Sequence, residues 1–379
     1  MSRRREPDGD KEHGISAAKR ARIESNLPAE DETPRTGSNV PGEDEKVAVA
    51  VKQNETKDTE LGLGLMGVIV HWGLYSVPAY DSVWSAKGRR IQNGSEWYLK
   101  RLTSTMVSGC KETQQWHRSH HGAAPYSKFA NSFTADKWNP DEWMKLFKSA
   151  GASYVVLTAK HHDGFCLWPT KTKSPHTSRD LLKDLKSAAT RLSMQFGIYY
   201  SWGEFGQSAS INYMRDVVQP HIKELINYAP DLFWFDGDWM CSTKASQVVI
   251  DSMCDLIRRR LPNAQINDRI GHKQNRDADA NFLGKASYRV YADRAIPKTK
   301  PNVPWEHVNT IGYSWGRNKQ QAPPDYKPAE ELLKLHREVS AKNGRFLLNV
   351  GPNPDGSLDE NELLRLQQLA ALKRTSTSA

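Results

Sequence analysis

The stretch that decides the fold reads Leu232-Phe233-Trp234-Phe235-Asp236-Gly237-Asp238-Trp239. It begins as a short apolar run, rich in aromatic residues and closed by Gly237, which is the pattern of a buried β-strand. Asp236 therefore stands where the strand opens into a loop. In (β/α) barrels, strand ends of this kind carry the reactive groups on a rigid scaffold. The plainer interpretation is that Asp236 only caps the following turn.

Three earlier apolar runs repeat this pattern and also end in polar or aromatic residues. They are residues 66–70 before His71, residues 154–159 before His161 and His162, and residues 196–200 before Ser201. Helical periodicity marks the stretches between strands, over residues 140–147, 213–229 and 245–261. Alternating strands and helices predict a (β/α) barrel or a doubly wound sheet. Since no glycine-rich dinucleotide fingerprint follows the first strand, the barrel is favoured.

The adjacent His161 and His162, followed by Asp163, allow two interpretations. Neutral imidazoles and a carboxylate are good metal ligands, so a metal-dependent hydrolase that uses the two histidines is one alternative. Their spacing matches no compact zinc motif, however, and Phe165 and Trp168 follow at once, as in a carbohydrate pocket. Histidines that hydrogen-bond hydroxyl groups explain this mixture better, and we expect no metal.

With these residues in hand, the chain resembles the glycoside hydrolase family 29 α-L-fucosidases over roughly residues 62–370. The resemblance is carried by motifs that occur in family order. They are residues 71–76 (His-Trp-Gly-Leu-Tyr-Ser), 96–98 (Glu-Trp-Tyr), 139–143 (Asn-Pro-Asp-Glu-Trp), 160–165 (Lys-His-His-Asp-Gly-Phe), 197–201 (Gly-Ile-Tyr-Tyr-Ser), 234–237 (Trp-Phe-Asp-Gly), 267–269 (Asn-Asp-Arg), 304–306 (Pro-Trp-Glu), 314–316 (Ser-Trp-Gly) and 347–352 (Leu-Leu-Asn-Val-Gly-Pro). The histidine-pair block and the final Asn-Val-Gly-Pro segment are the most specific of them.

The resemblance implies a retaining hydrolase that removes terminal α-L-fucose from glycans or glycoconjugates without a cofactor. Asp236 would be the nucleophile that forms the covalent fucosyl-enzyme. The residues placed around the fucose ring are His71, Glu96, Trp97, His161, His162, Tyr200, Trp234 and Arg269. Some of these keep a plainer alternative: Trp234 and Tyr200 as barrel core, and Glu96 as a solvated loop acid.

The proton donor is the point at which the sequence departs from the family pattern. The family takes its acid/base from a variable segment after Asn-Asp-Arg, and here Asn281 and Ser287 stand where carboxylates are expected. Neither side chain can act as a carboxylic acid does. Glu306 is the preferred candidate, with Asp279 and Glu96 as alternatives. If none serves, the chain would be a fucose-binding pseudoenzyme.

Length and composition set the expected domain organisation. The chain has 379 residues, enough for one barrel of ~300 residues. We expect a disordered, charged tail over residues 1–60 and a catalytic barrel over residues 61–379, without the family's C-terminal β-sandwich. Residues 25–59 mix charges with Pro, Gly, Ser and Thr and contain no aromatic residue, so they cannot bury enough apolar surface to fold.

Net charge and cysteine content limit which binding partners and which cellular compartment are expected for the chain. The net charge of +9 is spread along the chain, which gives no case for nucleic-acid binding, and no apolar run is long enough to span a membrane. The four cysteines have irregular spacing, which suits a reducing compartment. No apolar segment of a secretory signal follows Met1, so an intracellular location is expected, cytoplasmic or, given the basic runs near the start, nuclear. The family habit would be lysosomal or secreted, and the oligomeric state is open.

Overall fold

The computed structural model describes residues 64–82, 94–271 and 286–376. Within these ranges eight parallel strands form one sheet: β1 Met66–Val70, β2 Tyr154–Lys160, β3 Gln195–Ser201, β4 Leu232–Asp236, β5 Gln265–Ile266, β6 Arg289–Val290, β7 Trp305–Thr310 and β8 Arg345–Val350. Their order is β5-β4-β3-β2-β1-β8-β7-β6. A parallel bridge between Asn267 and Tyr288 joins the two ends of this order. The predicted (β/α)8-like barrel is therefore confirmed.

Helices connect the strands and cover the outside of the barrel. They are α1 Tyr98–Thr103, α2 Cys110–His121, α3 Pro140–Ser149, α4 Leu181–Arg191, α5 Gln219–Ile226, α6 Lys244–Arg260, α7 Ala329–Ala341 and α8 Glu360–Ser376. Helix α3 shows how the sequence sets a boundary. Pro140 occupies its first turn, and the Asn139 side chain accepts hydrogen bonds from the amides of Asp141 and Glu142, as expected of an N-cap residue.

The helix predicted over residues 213–229 is not continuous. A helical turn at Ile211–Tyr213 leads into a π-helical stretch at Met214–Val218, and only then does α5 begin. Pro220 lies at the start of α5 and has no backbone N–H with which to bond the carbonyl of residue 216. The regular hydrogen-bond pattern must change just before it, which the apolar periodicity alone does not reveal.

The strands separate two apolar layers because successive side chains point to opposite faces. On β2, Val155 and Leu157 belong to the large layer between barrel and helices, whereas Tyr154 and Val156 belong to the smaller layer inside the barrel. Both faces of each strand are thus covered, as is usual for parallel sheets. The carboxyl ends of the strands then meet around one opening.

Three further expectations concern the N-terminal tail, membrane-spanning segments and the cysteines. The charged tail predicted over residues 1–60 lies outside the described residues. Within the described part, no helix is long and apolar enough to cross a membrane. All four cysteines are free, buried thiols.

Candidate active site

A cavity of about 800 Å³ opens at the carboxyl ends of the strands. Its wall contains eight of the residues singled out from the sequence: His71, Glu96, Trp97, His161, His162, Trp234, Asp236 and Arg269. They come from β1, the segment before α1, and the ends of β2, β4 and β5. Residues nearly 200 positions apart in the sequence thus converge on one opening, as is typical of barrel enzymes.

Asp236 is the last residue of β4, and each of its carboxylate oxygens has a partner. Oδ1 lies 3.1 Å from Nη1 of Arg269, and Oδ2 accepts a 2.9 Å hydrogen bond from the Tyr199 hydroxyl. Burial alone would raise the pKa of Asp236, but Arg269, His162, the Gly237 amide and Tyr199 outweigh it and lower the pKa to about 2. The carboxylate is therefore ionised at any ordinary pH, as a nucleophile requires.

His162 stands beside this carboxylate as a neutral imidazole. Its Nε2 is 3.7 Å from Oδ2 of Asp236, and burial lowers its pKa to about 4 despite the nearby charge. Its Nδ1 lies 2.6 Å from the Ser201 hydroxyl, which donates its own proton to the carbonyl of Gly203. The proton of the neutral ring is therefore on Nδ1, and Nε2 is left as an acceptor.

His161 and His71 complete the imidazole wall. Burial lowers the pKa of both rings, and that of His161 falls well below its usual value. His71 donates from Nδ1 to Oδ1 of Asn349 at 2.6 Å, so its Nε2 is also an acceptor. Nδ1 of His161 is buried and has no hydrogen-bond partner among the described residues. A buried polar atom without a partner is costly unless a ligand satisfies it.

Glu96 is fixed in the cavity wall rather than solvated. Its exposed fraction is 1%, and its oxygens accept hydrogen bonds from the amides of Gly94 and Gly316, at 2.6 and 3.2 Å. The Ser314 hydroxyl approaches at 3.5 Å. Both oxygens act as acceptors here, whereas a proton donor must present an O–H to the substrate. This geometry does not suit Glu96 as the acid/base.

Trp234 lies two residues before Asp236 on β4 and links it to the barrel interior. Its ring stacks on Tyr199 at a centroid distance of 5.5 Å, and the guanidinium carbon of Arg269 lies 4.7 Å from its centre. Its indole N–H donates to Oε1 of Glu306 at 2.8 Å. Trp234 is thus both barrel core and the support for two residues that hold Asp236.

Tyr200 is not brought to the cavity, and its neighbour Tyr199 instead contacts Asp236. The Tyr200 side chain is fully buried in the layer between barrel and helices, where its hydroxyl lies 3.0 Å from Nδ1 of His221. The placement of Tyr200 around the fucose ring is therefore corrected. Both faces of β3 are aromatic and buried, so the run Tyr199-Tyr200 gives no sign of which ring faces inward.

Glu306, the preferred acid/base from the sequence, does not line the cavity. Its exposed fraction is 0%. Its carboxylate accepts hydrogen bonds from Trp234 and, at 2.6 Å, from the Tyr154 hydroxyl, and Nη2 of Arg345 lies 3.6 Å away. A side chain enclosed in this way cannot reach a glycosidic oxygen, so the preference for Glu306 is corrected. Its fixed position instead orients Trp234.

The sequence reasoning missed Asp293, which follows β6 and lines the cavity. Its side chain is 37% exposed and forms an ion pair with Nη2 of Arg269, the same guanidinium that binds Asp236 through Nη1. The available signal was a carboxylate shortly after the apolar pair Val290-Tyr291, the same strand-end rule that found Asp236.

The remaining acid/base assignments fall on the segment before β6. Asp279 and Asn281 lie outside the described residues. Ser287, which the sequence alignment put in place of a carboxylate, serves the barrel itself. Its hydroxyl accepts a hydrogen bond from the Ile266 amide at 3.0 Å, and its own amide donates to the Ile266 carbonyl at 2.7 Å. Ser287 thus helps to join β5 to β6.

The contacts of His161, His162 and Asp163 bear on whether these residues could hold a metal ion. Within residues 64–82, 94–271 and 286–376, no group of three or more His, Cys, Asp or Glu side chains is arranged to hold a metal ion. His162 already uses Nδ1 for Ser201, and Asp163 accepts from the Tyr126 hydroxyl at 2.8 Å rather than turning toward the histidines.

Comparisons with known proteins agree with the barrel fold. The family model described as Alpha-L-fucosidase matches residues 64–375. The human protein "Tissue alpha-L-fucosidase" is 30% identical over 312 residues, which cover 76% of this chain and 62% of that protein. An α-L-fucosidase of Dictyostelium discoideum is 29% identical over 326 residues, covering 80% of this chain and 67% of the relative. The chain belongs to the α-L-fucosidase family.

Solved structures show the same likeness. The crystal structure of Thermotoga maritima α-fucosidase has a TM-score of 0.69 and 29% identity, and the match covers 84% of this chain and 74% of that one. The same protein in complex with fucose gives a TM-score of 0.67 and 30% identity, with the same coverage. The chain therefore spans about three fifths of the length of its human relative and three quarters of the bacterial structures.

Proposed function

We propose that this protein is a retaining α-L-fucosidase that removes terminal fucose from glycans or glycoconjugates through a covalent intermediate on Asp236. The observation that carries the proposal is the state of that carboxylate. It is ionised, held by Arg269 and Tyr199, and faces a cavity lined by imidazoles and indoles. A family relative whose crystal structure contains fucose has the same barrel. Double displacement needs just such a carboxylate, together with a second carboxyl group about 5 Å away.

Among the described residues, we take Asp293 as the candidate for this second carboxyl group, because it lines the cavity and shares Arg269 with Asp236. It and Asp236 are bound by two nitrogens of one guanidinium, so Arg269 holds both carboxyl groups in the same part of the cavity, as a retaining mechanism with two nearby carboxyl groups requires. Asp293 is also the more exposed of the two, with 37% against 15% for the Asp236 side chain. A proton donor must reach a leaving group that departs toward solvent, which suits Asp293.

The binding of fucose follows from the unsatisfied polar groups of the wall. In the neutral rings of His71 and His162, Nε2 is an acceptor for sugar hydroxyls, while Nδ1 of His161 lacks a partner among the described residues. A hydroxyl group can both donate and accept a hydrogen bond, so a ligand rich in hydroxyl groups can pair with all of these ring nitrogens. Glu96 contributes a fixed acceptor, and Trp97 contributes an apolar face against which the methyl group of fucose packs.

Hydrolysis by the wild-type protein tests this function directly. We expect cleavage of an aryl α-L-fucoside and of a fucosylated oligosaccharide, with α-L-fucose as the first product anomer in an NMR time course. Dialysis against a strong chelator should leave the rate unchanged. Activity that is lost on dialysis and restored by zinc would favour the metal-dependent hydrolase.

The pseudoenzyme alternative predicts a different pattern. A protein with a nucleophile but no proton donor would cleave only the activated aryl substrate, because a poor leaving group needs protonation in the transition state. Binding of fucose without turnover of either substrate would identify a fucose-binding protein.

A further inference from the structure

The mouth of the cavity carries an indole, Trp239, that has no role in the proposed chemistry. Trp239 lines the cavity and is 39% exposed, whereas His161, His162 and Trp234 deeper in the wall are at most 4% exposed. Beside a polar cavity, and next to the parallel ring of Trp97, this indole offers a flat aromatic surface to a ligand.

Trp239 is held in this position by a short, well-bonded turn. Gly237, directly after the nucleophile, has a φ of 73°, in the left-handed region, and a Cβ there would lie 2.5 Å from the Ser201 hydroxyl. The Met240 amide donates to the Gly237 carbonyl at 3.0 Å, and the Cys241 amide to the Asp238 carbonyl at 2.9 Å. These contacts fix the indole three residues beyond Asp236.

Two aromatic neighbours relate Trp239 to the reaction centre. Its ring lies nearly parallel to Trp97, with 12° between the planes and 6.0 Å between the centroids. It meets the His162 ring edge-on at 5.8 Å. His162 faces Oδ2 of Asp236, while Asp293 is reached through Oδ1 and Arg269. The indole therefore lies beside the imidazole ring that faces Asp236.

The cavity has room for more than one monosaccharide. Its 800 Å³ lies in the upper part of the range of roughly 300–1,000 Å³ found for sites that hold drug-sized ligands. The deep part offers charged and imidazole groups to hydroxyls, and the mouth offers a flat apolar face. The apolar C–H face of a pyranose ring matches an indole, because the electron-rich ring face attracts slightly positive C–H groups.

We propose that Trp239 is the platform of a leaving-group subsite, on which the pyranose ring attached to fucose stacks. This inference rests on the proposed fucosidase function and adds a substrate class to it: the sugar next to fucose is recognised as a ring rather than through a simple alkyl or hydroxyl group.

Two substrates separate this subsite from the chemistry. α-L-Fucosyl fluoride has a leaving group without a ring, whereas a fucosyl-galactose disaccharide places a pyranose in the mouth. We expect Trp239→Ala to lower kcat/KM for the disaccharide about ten-fold and to change that for the fluoride less than about two-fold. Trp239→Phe should recover most of the loss. Tyr313→Ala is the matched control, since Tyr313 is equally exposed, at 37%, but does not line the cavity.

Equal losses on the two substrates would overturn the subsite while leaving the fucosidase function intact. If the wild type cleaves neither substrate, the proposed function fails, and calorimetric binding then decides the subsite. Disaccharide binding to the Asp236→Asn protein should weaken when Trp239→Ala is added, with binding of free L-fucose unchanged. Equal weakening of both ligands, or of neither, would reject the platform.

Discussion

The carboxyl end of the barrel and its interior each contain a carboxylate that contacts an arginine and a tyrosine. The two carboxylates differ in whether they can reach a ligand. At the carboxyl end, Asp236 is bound by Arg269 and Tyr199. In the interior, Glu306 is bound by Tyr154 and faces Arg345. Trp234 joins the two groups, because its ring supports Arg269 and Tyr199 while its N–H donates to Glu306.

What differs between the two carboxylates is access. Asp236 faces an 800 Å³ cavity, whereas Glu306 has an exposed fraction of 0%. Residue types and partners alone therefore do not identify a reactive carboxylate. Under the proposed function, Asp236 is the reacting carboxylate, and Glu306 holds in place the Trp234 ring that supports its partners.

The largest expected effect comes from replacing Asp236, the proposed nucleophile. Asp236→Asn should lower kcat on an aryl α-L-fucoside by at least about 10³-fold, because the covalent step is lost. The melting temperature should stay close to that of the wild type, since the side chain is at the cavity wall. Asp255→Asn, on the exposed face of α6, is the control. Retention of a tenth of the wild-type rate would contradict the assignment.

The second effect separates Asp293 from Glu306. Asp293→Asn should slow cleavage of a natural oligosaccharide by about 10²–10⁴-fold and that of an activated aryl fucoside far less, since only the former needs a proton. Azide should restore turnover of the aryl substrate by replacing base-assisted water.

Glu306→Gln provides the contrast at the other end of the barrel. It should lower the melting temperature and reduce the rates on both substrates to a similar extent, with no effect of azide. Leaving-group dependence and azide rescue in Glu306→Gln, rather than in Asp293→Asn, would reverse the assignment of the proton donor.

The third effect concerns pH. Arg269 is the main group that lowers the pKa of Asp236 against the effect of burial. In Arg269→Met the burial effect remains, so the pKa of Asp236 should rise. Because activity requires the ionised form, the acid limb of the kcat/KM profile should move to higher pH. Arg345→Met, the counterpart beside Glu306, should lower stability and leave the acid limb in place.

The smallest effect compares adjacent tyrosines on β3. Tyr199→Phe removes a hydrogen bond to a charged group, worth about 1.5–3 kcal/mol, so kcat/KM should fall about 10–100-fold. Tyr200→Phe removes a bond to His221 and should cost about 1 kcal/mol of unfolding free energy, with kcat/KM nearly unchanged. Steady-state kinetics and urea unfolding of both variants check this. The opposite pattern would mean that the Tyr200 ring, not Tyr199, serves the nucleophile.

Sequence patterns located the barrel and most of its cavity because both are encoded locally. Apolar runs ending in His71, His161, His162 and Asp236 mark strands and their carboxyl ends, and barrel closure necessarily brings such ends together. Helix α3 could be read from Asn139 and Pro140 for a similar reason, since capping is a contact between near neighbours.

Only the tertiary structure decided which side chains of those strands reach the cavity. Tyr199 and Tyr200 are both buried. When both faces of a strand are apolar, the alternation of side chains does not tell from the sequence which residues point into the barrel. Glu306 was a candidate from the sequence because its complete burial results from the packing of the whole barrel, which its sequence neighbours do not reveal. Asp293 follows a strand of only two residues, β6, so the apolar run before it is a much weaker signal than the run before Asp236. The sequence by itself thus determined the strand ends and their chemistry, while the direction and access of each side chain depended on packing among distant segments.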